Sequence, residues 1–394
     1  MLKKINNNNS TNKDLRTISG FWNKLFKKNF KLNYRASSLK DLKSRPNSAG
    51  AEPINICNAD CSFCGYGKGK DGKAADPRIK QKIDINALKH FLRIYSDGGG
   101  GTFAFSPILG EISAHPDWLN IVKEIRKYKN INRVTCYTNA TLLERHGFDE
   151  ILKSGLTSMT ISTAIGNKEQ YKRLYGIDKY DQVKSNITNL LKRNKELNNP
   201  VNIVLALRID KPYDLFYKSR FYKSIINYIN PRKISILESW DDFRGIIKQD
   251  SLPKGHKFKG LRFMDERKNT PCYALYRKLQ ILVDGTIQGC SCRIEPELWG
   301  GNIKNYKSLH EAWNDKKIEK IRKDWFDGKL KKCCTECSHY EPYTKLFKDG
   351  YIIPRLKGFF KNLFNKKIRL LTNTGFKDDK KIRILNDDDH SPLF

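Results

Sequence analysis

The segment Cys57-Asn58-Ala59-Asp60-Cys61-Ser62-Phe63-Cys64 places three thiols within eight residues, in the spacing Cys-x3-Cys-x2-Cys. It follows directly on the apolar run Ile54-Asn55-Ile56. A loop of this kind can bend three thiolates around one metal centre, and thiolates favour zinc, copper(I) or an iron–sulfur cluster. The number of ligands separates these centres, because structural zinc uses four protein ligands. A cubane cluster held by three cysteines instead leaves one iron free for a small molecule.

The length and composition of the chain limit the classes of protein to which it can belong. The 394 residues leave room for one large α/β domain and a smaller one. With 39% hydrophobic residues the chain can bury a core, and no apolar run approaches the roughly 20 residues that span a bilayer. The first residues lack the apolar stretch of a secretory signal, so we predict a cytoplasmic protein. In that compartment ten cysteines indicate metal ligands or reactive thiols rather than disulfides.

The formal net charge of +33 favours an anionic partner, although a lysine-rich composition over the whole chain explains it equally well. Both terminal segments combine lysines with apolar residues at helical spacing. These are Leu15, Ile18, Phe21, Trp22, Leu25, Phe26 and Phe30 near the start, and Leu356, Phe359, Phe360, Leu363, Phe364, Ile368 and Leu371 near the end. Such basic amphipathic helices either lie on a membrane surface or pack on the rest of the protein. The last residues, with three consecutive aspartates, are predicted to be disordered.

Strand-like and helical stretches alternate from residue 52 onward. Strands are predicted at Glu52–Ile56, Thr102–Phe105, Ile131–Tyr137, Ser158–Thr163, Val201–Ile209 and Lys233–Glu238. Helices are predicted at Asp84–Ile94, Pro116–Tyr128, Leu142–Lys153, Lys168–Leu174, Tyr180–Leu197 and Pro212–Ile229, with a flexible stretch at Gly65–Gly72. This order predicts a parallel sheet with right-handed crossovers. Sites in such folds lie at the carboxyl ends of the strands, which is where the cysteine loop falls.

Polar residues follow several of the predicted strands. Gly110-Glu111 comes after the second strand, where a backbone turn and a carboxylate could meet an ammonium group. Thr138-Asn139 ends the third strand, and either residue also suits a helix N-cap. Ser162 lies near the end of the fourth strand and Arg208 near the end of the fifth. An arginine fork suits a carboxylate.

A second group of cysteines lies in the last third of the chain. Cys272 is followed after twelve residues by Gly285 and then, at x4, by Cys290. The residues between them predict a hairpin with a tight Asp284-Gly285 turn. Cys334-x2-Cys337 follows a helix predicted at Leu309–Trp325. These four thiols make a full ligand set, which zinc would also satisfy.

Two of the three remaining cysteines leave the ligand assignment partly open. Cys292 can replace Cys290, and Cys333 can replace Cys334, although the spacing favours the pairs named above. Cys136 lies inside the third predicted strand, where we expect a buried core thiol.

The cysteine loop, with Phe63 before its last cysteine, resembles the signature of the radical S-adenosylmethionine (SAM) enzymes. Gly110-Glu111 resembles the family's Gly-Gly-Glu-Pro element, although Leu109 and Ile112 replace its first glycine and its proline. The stretches 138–143 and 171–176 resemble the family's Thr-Asn-Gly-x-Leu-Leu and Tyr-x-x-Ile-Arg-Gly elements. The resemblance implies a partial (β/α)6 TIM-like barrel.

The same resemblance implies cofactors and roles. Cys57, Cys61 and Cys64 would hold a 4Fe-4S cluster whose open iron is chelated by the amino and carboxylate groups of SAM. The SAM-binding residues implied by position are Gly110, Glu111, Thr138, Asn139, Ser162 and Arg208, of which Arg208 could contact the substrate instead. Reduced flavodoxin or ferredoxin would supply the electron. The resemblance leaves open whether SAM is consumed or regenerated.

The later cysteines resemble the auxiliary-cluster region called SPASM or, when shortened, twitch. Cys272, Cys290, Cys334 and Cys337 would hold a second, auxiliary 4Fe-4S cluster. Cysteines for a further cluster are lacking, so the region is similar to the one-cluster twitch type, as in aminocyclitol dehydrogenases. We therefore expect a basic arm at 1–50, a partial barrel at 51–245, a twitch/SPASM-like hairpin-plus-helix domain at 246–345 and a basic tail at 346–394.

The implied activity is a radical SAM oxidoreductase that oxidises a small molecule and passes an electron to the auxiliary cluster. A carbohydrate, cyclitol or activated sugar is the first expectation, because no leader-peptide domain fits in the first 50 residues. A ribosomal-peptide maturase is the second. Candidate substrate contacts follow the sixth strand: Glu238, Trp240, Asp241, Asp242 and Arg244. Their alternative role is a helix cap with a solvated turn.

Two further classes of function stay open. An RNA-modifying enzyme would fit the charge, but the chain has no recognisable RNA-binding module, so nucleic acid is not expected as a partner. A non-catalytic zinc-binding scaffold would account for the cysteines alone.

Overall fold

A computed structural model describes residues 39–65, 78–344, 346 and 383–385. Within these residues the strands are β1 (Ser48–Ala51), β2 (Gly101–Phe105), β3 (Ile131–Thr138), β4 (Ser158–Thr163), β5 (Asn202–Leu207), β6 (Ile234–Leu237), β7 (Lys278–Ile281), β8 (Thr286–Gln288), β9 (Trp299–Asn302) and β10 (Arg383–Leu385). They form one ten-stranded sheet in the order β10-β6-β5-β4-β3-β2-β1-β7-β8-β9.

Helices connect the strands. The described α-helices are α1 (Leu39–Ser44), α2 (Ile85–Asp97), α3 (Trp118–Ile125), α4 (Phe148–Lys153), α5 (Lys168–Tyr175), α6 (Tyr180–Glu196), α7 (Asp214–Lys218), α8 (Arg220–Ile225), α9 (Met264–Arg267), α10 (Leu309–Trp313), α11 (Lys316–Phe326) and α12 (Lys332–Thr335). Side chains cap several of their amino ends: Asp84 accepts hydrogen bonds from two backbone amides of α2, and Asn167 accepts one from α5. No helix of the described residues is long and apolar enough to cross a membrane.

Strands β1 to β6 are parallel and lie in sequence order, which confirms the predicted sheet. The sheet does not close on itself, because the outer neighbours of β1 and β6 are β7 and β10. The core of the fold is thus a partial (β/α)6 barrel. The hairpin β7–β8 extends the same sheet, since β7 pairs with β1 in parallel over four residues.

The two faces of the sheet differ in character, as the period of two along each strand requires. One face packs on the helices; Phe91 of α2, for example, lies 5.8 Å from Phe103 of β2 between ring centroids. Its residues are buried and apolar: Ala49, Ala51, Phe103, Phe105, Val134, Cys136, Met159, Ile161, Ile203, Leu205, Leu207, Ile234, Ile236, Leu279 and Ile281. The opposite face, which we call the polar face, carries small or polar residues at the alternate positions: Gly50, Ala104, Thr135, Tyr137, Thr160, Ser162, Val204, Ala206, Ser235, Lys278 and Gln280.

The first strand was predicted at Glu52–Ile56, and that prediction is wrong. The strand is Ser48–Ala51, and Glu52–Ile56 is an extended segment with a single bridge from Ile54 to Lys82. Two features end the strand here. Pro53 has no N–H to donate to a ladder, and the buried carboxylate of Glu52 binds groups beyond the strand end.

Three predicted helices are shorter or broken. The stretch Leu142–Lys153 is a 3-10 turn followed by α4, because Gly147 adopts a φ of +75° between them. The stretch Pro212–Ile229 divides into α7 and α8 at Ser219. The stretch Leu309–Trp325 divides into α10 and α11 at Asp315, whose carboxylate caps α11 by accepting from Lys317 N and Ile318 N, both at 2.9 Å.

Several predictions concern segments outside the described residues. These are the amphipathic helices of the two termini, most of the flexible stretch Gly65–Gly72 and the end of the tail. Of the tail, the structure describes β10, which pairs in parallel with β6 and which the sequence did not predict.

Candidate functional site

The loop of Cys57, Cys61 and Cys64 lies beyond the carboxyl end of β1 and is held by backbone hydrogen bonds. Asp60 N donates to Tyr175 O at 3.1 Å and Ser62 N to Leu174 O at 2.9 Å, so the end of α5 supports the loop. Within it, Cys64 N donates to Cys61 O at 3.1 Å and forms a tight turn. The three thiols are half-buried, and none is in a disulfide.

Gly110 allows the chain after β2 to approach this loop closely. It adopts a φ of +128°, and a Cβ at this position would lie 2.5 Å from the carbonyl oxygen of Ile54. The next residue, Glu111, donates its backbone N–H to Ile56 O at 3.0 Å. The segment leading into the cysteine loop is therefore fixed by backbone contacts that only glycine permits at residue 110.

The buried side chain of Glu111 links the segment after β2 to the end of β3 through hydrogen bonds. Its Oε1 accepts from Ser113 N at 3.0 Å and from Thr138 Oγ1 at 2.6 Å, and its Oε2 accepts from Asn139 N at 2.6 Å. Burial raises the pKa of the Glu111 carboxyl, and these hydrogen bonds oppose the rise. Asn139 Nδ2 in turn donates to Asn58 Oδ1 at 2.9 Å, which ties the end of β3 to the cysteine loop. The contact predicted between Glu111 and the SAM ammonium stays a prediction.

Arg208 points at the cysteine loop. Its guanidinium carbon lies 5.1 Å from the ring centroid of Phe63 and 6.0 Å from that of Trp240, distances that suit cation–π contacts. It also donates a short hydrogen bond to Ser162 Oγ. The structure thus brings together Ser162 and Arg208, predicted from two different strands.

The four predicted auxiliary ligands come from three segments. The backbone of Cys272 forms an isolated antiparallel β-bridge with Pro342, and Tyr273 N donates to Glu341 O at 2.8 Å. Cys272 therefore lies beside the segment that follows Cys337. Cys290 follows β8. The hydrogen bond with Cys292 and burial raise the pKa of Cys290, and Cys272 and Cys334 add to the rise. Cys337 in turn adds to the rise in the pKa of Cys272, so the four thiols lie within electrostatic range of one another. All four thiols are buried.

Arg267 is a site residue that sequence reasoning missed. Its guanidinium donates to the carbonyl oxygens of Cys334 at 3.0 Å, Thr335 at 2.9 Å and Cys337 at 2.8 Å, and it lies over the ring of Tyr340. It therefore shapes the loop of the last two cysteines. One arginine among many basic residues gave no signal in the sequence.

The two spare thiols lie beside their named neighbours. Cys292 N donates to Cys290 Sγ at 3.4 Å, and the hydrogen bond between the two thiols lowers the pKa of Cys292. Cys333 Sγ lies 3.9 Å from Cys334 Sγ. Both alternatives left open by the spacing therefore stay open in the structure. Cys136 is buried in β3, where burial raises its pKa, as predicted for a core thiol.

The residues predicted as substrate contacts already have protein partners. Trp240 is buried, donates from Nε1 to His256 Nδ1 at 3.0 Å and packs on Phe63. Glu238 accepts from Tyr213 OH and lies 3.2 Å from Lys211 Nζ.

The remaining residues of that predicted group bind to the segments around the auxiliary thiols or cap their own turn. Asp241 forms a buried ion pair with Arg293 at 2.7 Å and lies 3.3 Å from His339 Nε2. Asp242 accepts from the backbone N–H of Arg244 at 3.1 Å. The group thus joins the cysteine loop to the auxiliary region, and its substrate role stays a prediction.

The two cysteine groups approach the sheet from opposite ends. The first follows the carboxyl end of β1. Cys272 precedes the amino end of β7, which is parallel to β1, and Cys290 follows β8, which is antiparallel to β7. In the part of the chain that the structure describes, no three His, Cys, Asp or Glu side chains are grouped closely enough to hold a single metal ion.

Family comparisons agree with this arrangement. A family model described as the radical SAM superfamily matches residues 51–207, and one described as the SPASM iron-sulfur cluster-binding domain matches residues 272–338. Among curated proteins, GTP 3',8-cyclase of Vibrio vulnificus (strain YJ016) is 23% identical over 136 residues, or 34% of this chain. The chain spans 38% of the length of the curated relatives it matches.

Solved structures share the fold. Streptococcus suis SuiB bound to the precursor peptide SuiA has a TM-score of 0.54 at 17% identity, covering 88% of this chain and 79% of that one. A histidine-tagged form of anSMEcpe with bound AdoMet has a TM-score of 0.50 at 16% identity, covering 84% of this chain and 96% of that one. These likenesses show the partial barrel and no more.

The fold, the two cysteine groups and the family matches indicate an iron–sulfur protein of the SAM-binding class. The chain belongs to the radical SAM superfamily and carries a SPASM-type iron–sulfur domain after its barrel. It is therefore a radical SAM enzyme whose cofactors are SAM and 4Fe-4S clusters.

The residues present fit these cofactors. Three thiols, those of Cys57, Cys61 and Cys64, lie on a loop that a glycine at residue 110 allows the neighbouring backbone to approach. Four buried thiols from three other segments lie within electrostatic range of one another. A scaffold binding only zinc is set aside by the iron–sulfur family match.

Gly110→Ala tests the close approach beneath the cysteine loop. We expect the free energy of unfolding to fall by about 1–3 kcal/mol, because alanine is strained at this φ and its Cβ meets a backbone oxygen. Urea unfolding under anaerobic conditions measures the change. Gly260→Ala is the matched control, since nothing lies within 4 Å of a Cβ there. A variant at residue 110 as stable as the control would contradict the argument.

Proposed function

We propose that the protein is an oxidoreductase that removes two hydrogens from a small carbohydrate-like or cyclitol substrate. The observation that carries this proposal is the polar face of the sheet. It offers hydroxyl and amide groups from several strands, among them Thr135, Thr160, Ser235 and Gln280, to a substrate rich in hydroxyls.

The proposed roles follow from the positions of the residues. Cys57, Cys61 and Cys64 would hold the SAM-binding cluster at one end of the polar face, and Cys272, Cys290, Cys334 and Cys337 the auxiliary cluster at the other. Ser162 and Arg208 would orient SAM, with Arg208 suited to a carboxylate. When bound, these groups supply a 5′-deoxyadenosyl radical for hydrogen abstraction and an acceptor for the electron left on the substrate.

The atoms and electrons of the proposed reaction balance with one external electron donor. Reduced flavodoxin or ferredoxin would supply one electron, for which the charge of +33 suits an acidic partner. The substrate carbon would lose a hydrogen atom to the deoxyadenosyl group, the electron would pass to the auxiliary cluster, and the hydroxyl proton would leave to solvent. The product is a ketone, with methionine and 5′-deoxyadenosine.

The experiment combines product analysis with a loss of the auxiliary ligands. We expect a polyol substrate to stimulate deoxyadenosine formation and to give a product that has lost two hydrogen atoms. Cys334→Ala/Cys337→Ala should keep deoxyadenosine formation but lose the oxidised product, with iron falling from about eight to about four per chain.

Two outcomes would overturn the proposal. Oxidised product at the wild-type rate in the double variant would show that the auxiliary site does not take the electron. Stimulation by a peptide and by no polyol would favour a peptide maturase; the similar structure of SuiB is bound to a precursor peptide.

A further inference from the structure

Several enclosed arginines of the described residues face a carboxylate. The ion pairs are Arg78–Glu52, Arg173–Asp210, Arg293–Asp241 and Arg322–Glu319. Arg208 and Arg267 instead contact a hydroxyl, backbone carbonyls or aromatic rings. Two neighbouring cations at the start of β7, Arg277 and Lys278, also lack a carboxylate in the described part of the chain. In residues 39–65 and 78–344, neither side chain forms an ion pair with a carboxylate, and the acidic group that acts electrostatically on both is the thiol of Cys292.

Lys278 extends along the polar face of the sheet. Its Cε and Nζ would lie 2.8 and 3.2 Å from a Cβ at Gly50, so the side chain crosses β1 where that strand has no side chain. Gln280, on the same face of β7, is 2% exposed. The Oε1 atom of Gln280 is buried and has no hydrogen-bond partner in the described residues. The face thus presents an ammonium group and a free acceptor side by side.

Arg277 adds a second positive charge nearby. Its guanidinium lies 5.8 Å from the ring centroid of Tyr273. Burial raises the pKa of Tyr137, a residue of the polar face, and Arg277 and Arg208 both oppose that rise, so both lie within electrostatic range of its hydroxyl. No strand residue of the polar face between β1 and β8 is an aspartate or glutamate.

Half-buried cations that no carboxylate pairs with cost stability, and they occur often at functional sites. Burial lowers the pKa of Lys278 to about 7, Arg277 acts in the same direction and the Cys292 thiol acts against it, and a bound anion would favour the charged form further.

We propose that the polar face binds a substrate with an anionic group, a phosphate or a carboxylate, held by Lys278 and Arg277, while Gln280 accepts a hydrogen bond from a neighbouring hydroxyl. The proposal rests on the proposed function, because it narrows the polyol substrate to an acidic or phosphorylated one. Arg208 lies at the other end of the face and keeps its assignment to SAM.

The test measures ligand-induced thermal stabilisation of the anaerobically reconstituted full chain with SAM. Four probes of similar size are compared at equal concentration: glucose 6-phosphate, glucuronate, glucose and glucosamine. We expect a rise in the unfolding temperature with one or both anionic sugars and none with the neutral or cationic sugar. The two anionic probes distinguish a phosphate site from a carboxylate site.

Variants at residue 278 test whether Lys278 binds the anionic group of the probe. Lys278→Met should weaken binding of the active probe by about tenfold to a hundredfold, since a charge-assisted contact is lost. Lys278→Arg should keep most of it. Lys192→Met, on the exposed side of α6, is the control and should bind as wild type. Without ligand, Lys278→Met should be at least as stable as wild type, because a half-buried cation without a carboxylate partner is removed.

The proposal is overturned if neither anionic sugar stabilises the protein, if glucose does so equally, or if Lys278→Met retains the full effect. These outcomes are distinct from failure of the proposed function. That failure would appear as missing deoxyadenosine or missing oxidised product, neither of which this measurement uses.

Discussion

Replacing Cys57, Cys61 and Cys64 together by alanine should lower the iron content of the anaerobically reconstituted protein from about eight to about four per chain. Deoxyadenosine formation should fall to background, because no open iron then remains to bind SAM. The auxiliary thiols lie on other segments and approach the sheet from its other end, so their iron should stay. Iron and sulfide analysis, with chromatography of the nucleoside, measures both effects.

Cys136→Ala is the control for this triple variant. Its thiol is buried on the helix-facing side of β3, and its loss should leave iron content and deoxyadenosine unchanged. If the triple variant still forms deoxyadenosine, the assignment of the first cluster is wrong. If wild type binds only about four irons and also zinc, the auxiliary site is structural and the oxidation is wrong.

Glu52→Ala should lower the free energy of unfolding by about 3–5 kcal/mol, the largest effect we expect away from the cysteines. The Glu52 side chain is 0% exposed and forms an ion pair with Arg78, whose side chain is 6% exposed. Its oxygens also accept from Leu109 N at 3.2 Å and Val283 N at 3.3 Å. The variant leaves a buried charge and two buried N–H groups without their acceptor.

Urea unfolding of the reconstituted protein measures this loss, and two variants check its cause. Glu169→Ala, an exposed acidic residue in the first turn of α5, should change stability by no more than about 0.5 kcal/mol. Glu52→Gln/Arg78→Met removes both charges and should recover part of the loss. A double variant as unstable as Glu52→Ala would show that leaving Arg78 without its ion pair to Glu52 is not the cause.

Much of the fold could be predicted from hydrophobic pattern. Strands such as Ser158–Thr163 are β-branched and bounded by turns, and the long helix α6 has a clear apolar stripe, so their bounds are close to those predicted. The helix breaks at Gly147 and Asp315 could not be predicted, because the apolar pattern continues across each of these residues.

The position of β1 could not be predicted, for a physical reason. Ser48-Ala-Gly-Ala51 has no β-branched residue and is typical of a loop. The strand exists because β2 and β7 pair with it on both sides, and because a glycine at residue 50 leaves room for Lys278. Tertiary contacts about 50 and about 230 residues away in sequence therefore decide this element.

Some residues of the candidate site could likewise be predicted from the sequence, and others could not. Cysteine spacing is a local signal, so both groups of thiols could be found from the sequence. Arg277 and Lys278 could not, since one basic pair among 75 lysines and arginines carries no information by itself. The signal that could have exposed Lys278 was its alternation with Leu279, Gln280 and Ile281, which puts a lysine and a glutamine on one face of a buried strand.

The pairing of β1 with β7 also sets the order of events during synthesis. The strand that leads into the first cysteine loop leaves the ribosome early, yet one of its two neighbours follows more than 220 residues later. The hydrogen bond between Glu52 and Val283 spans a similar length of chain. Contacts so distant in sequence form late and slowly. If Cys57, Cys61 and Cys64 hold a cluster as proposed, we expect it to be inserted only after β7 has been synthesised.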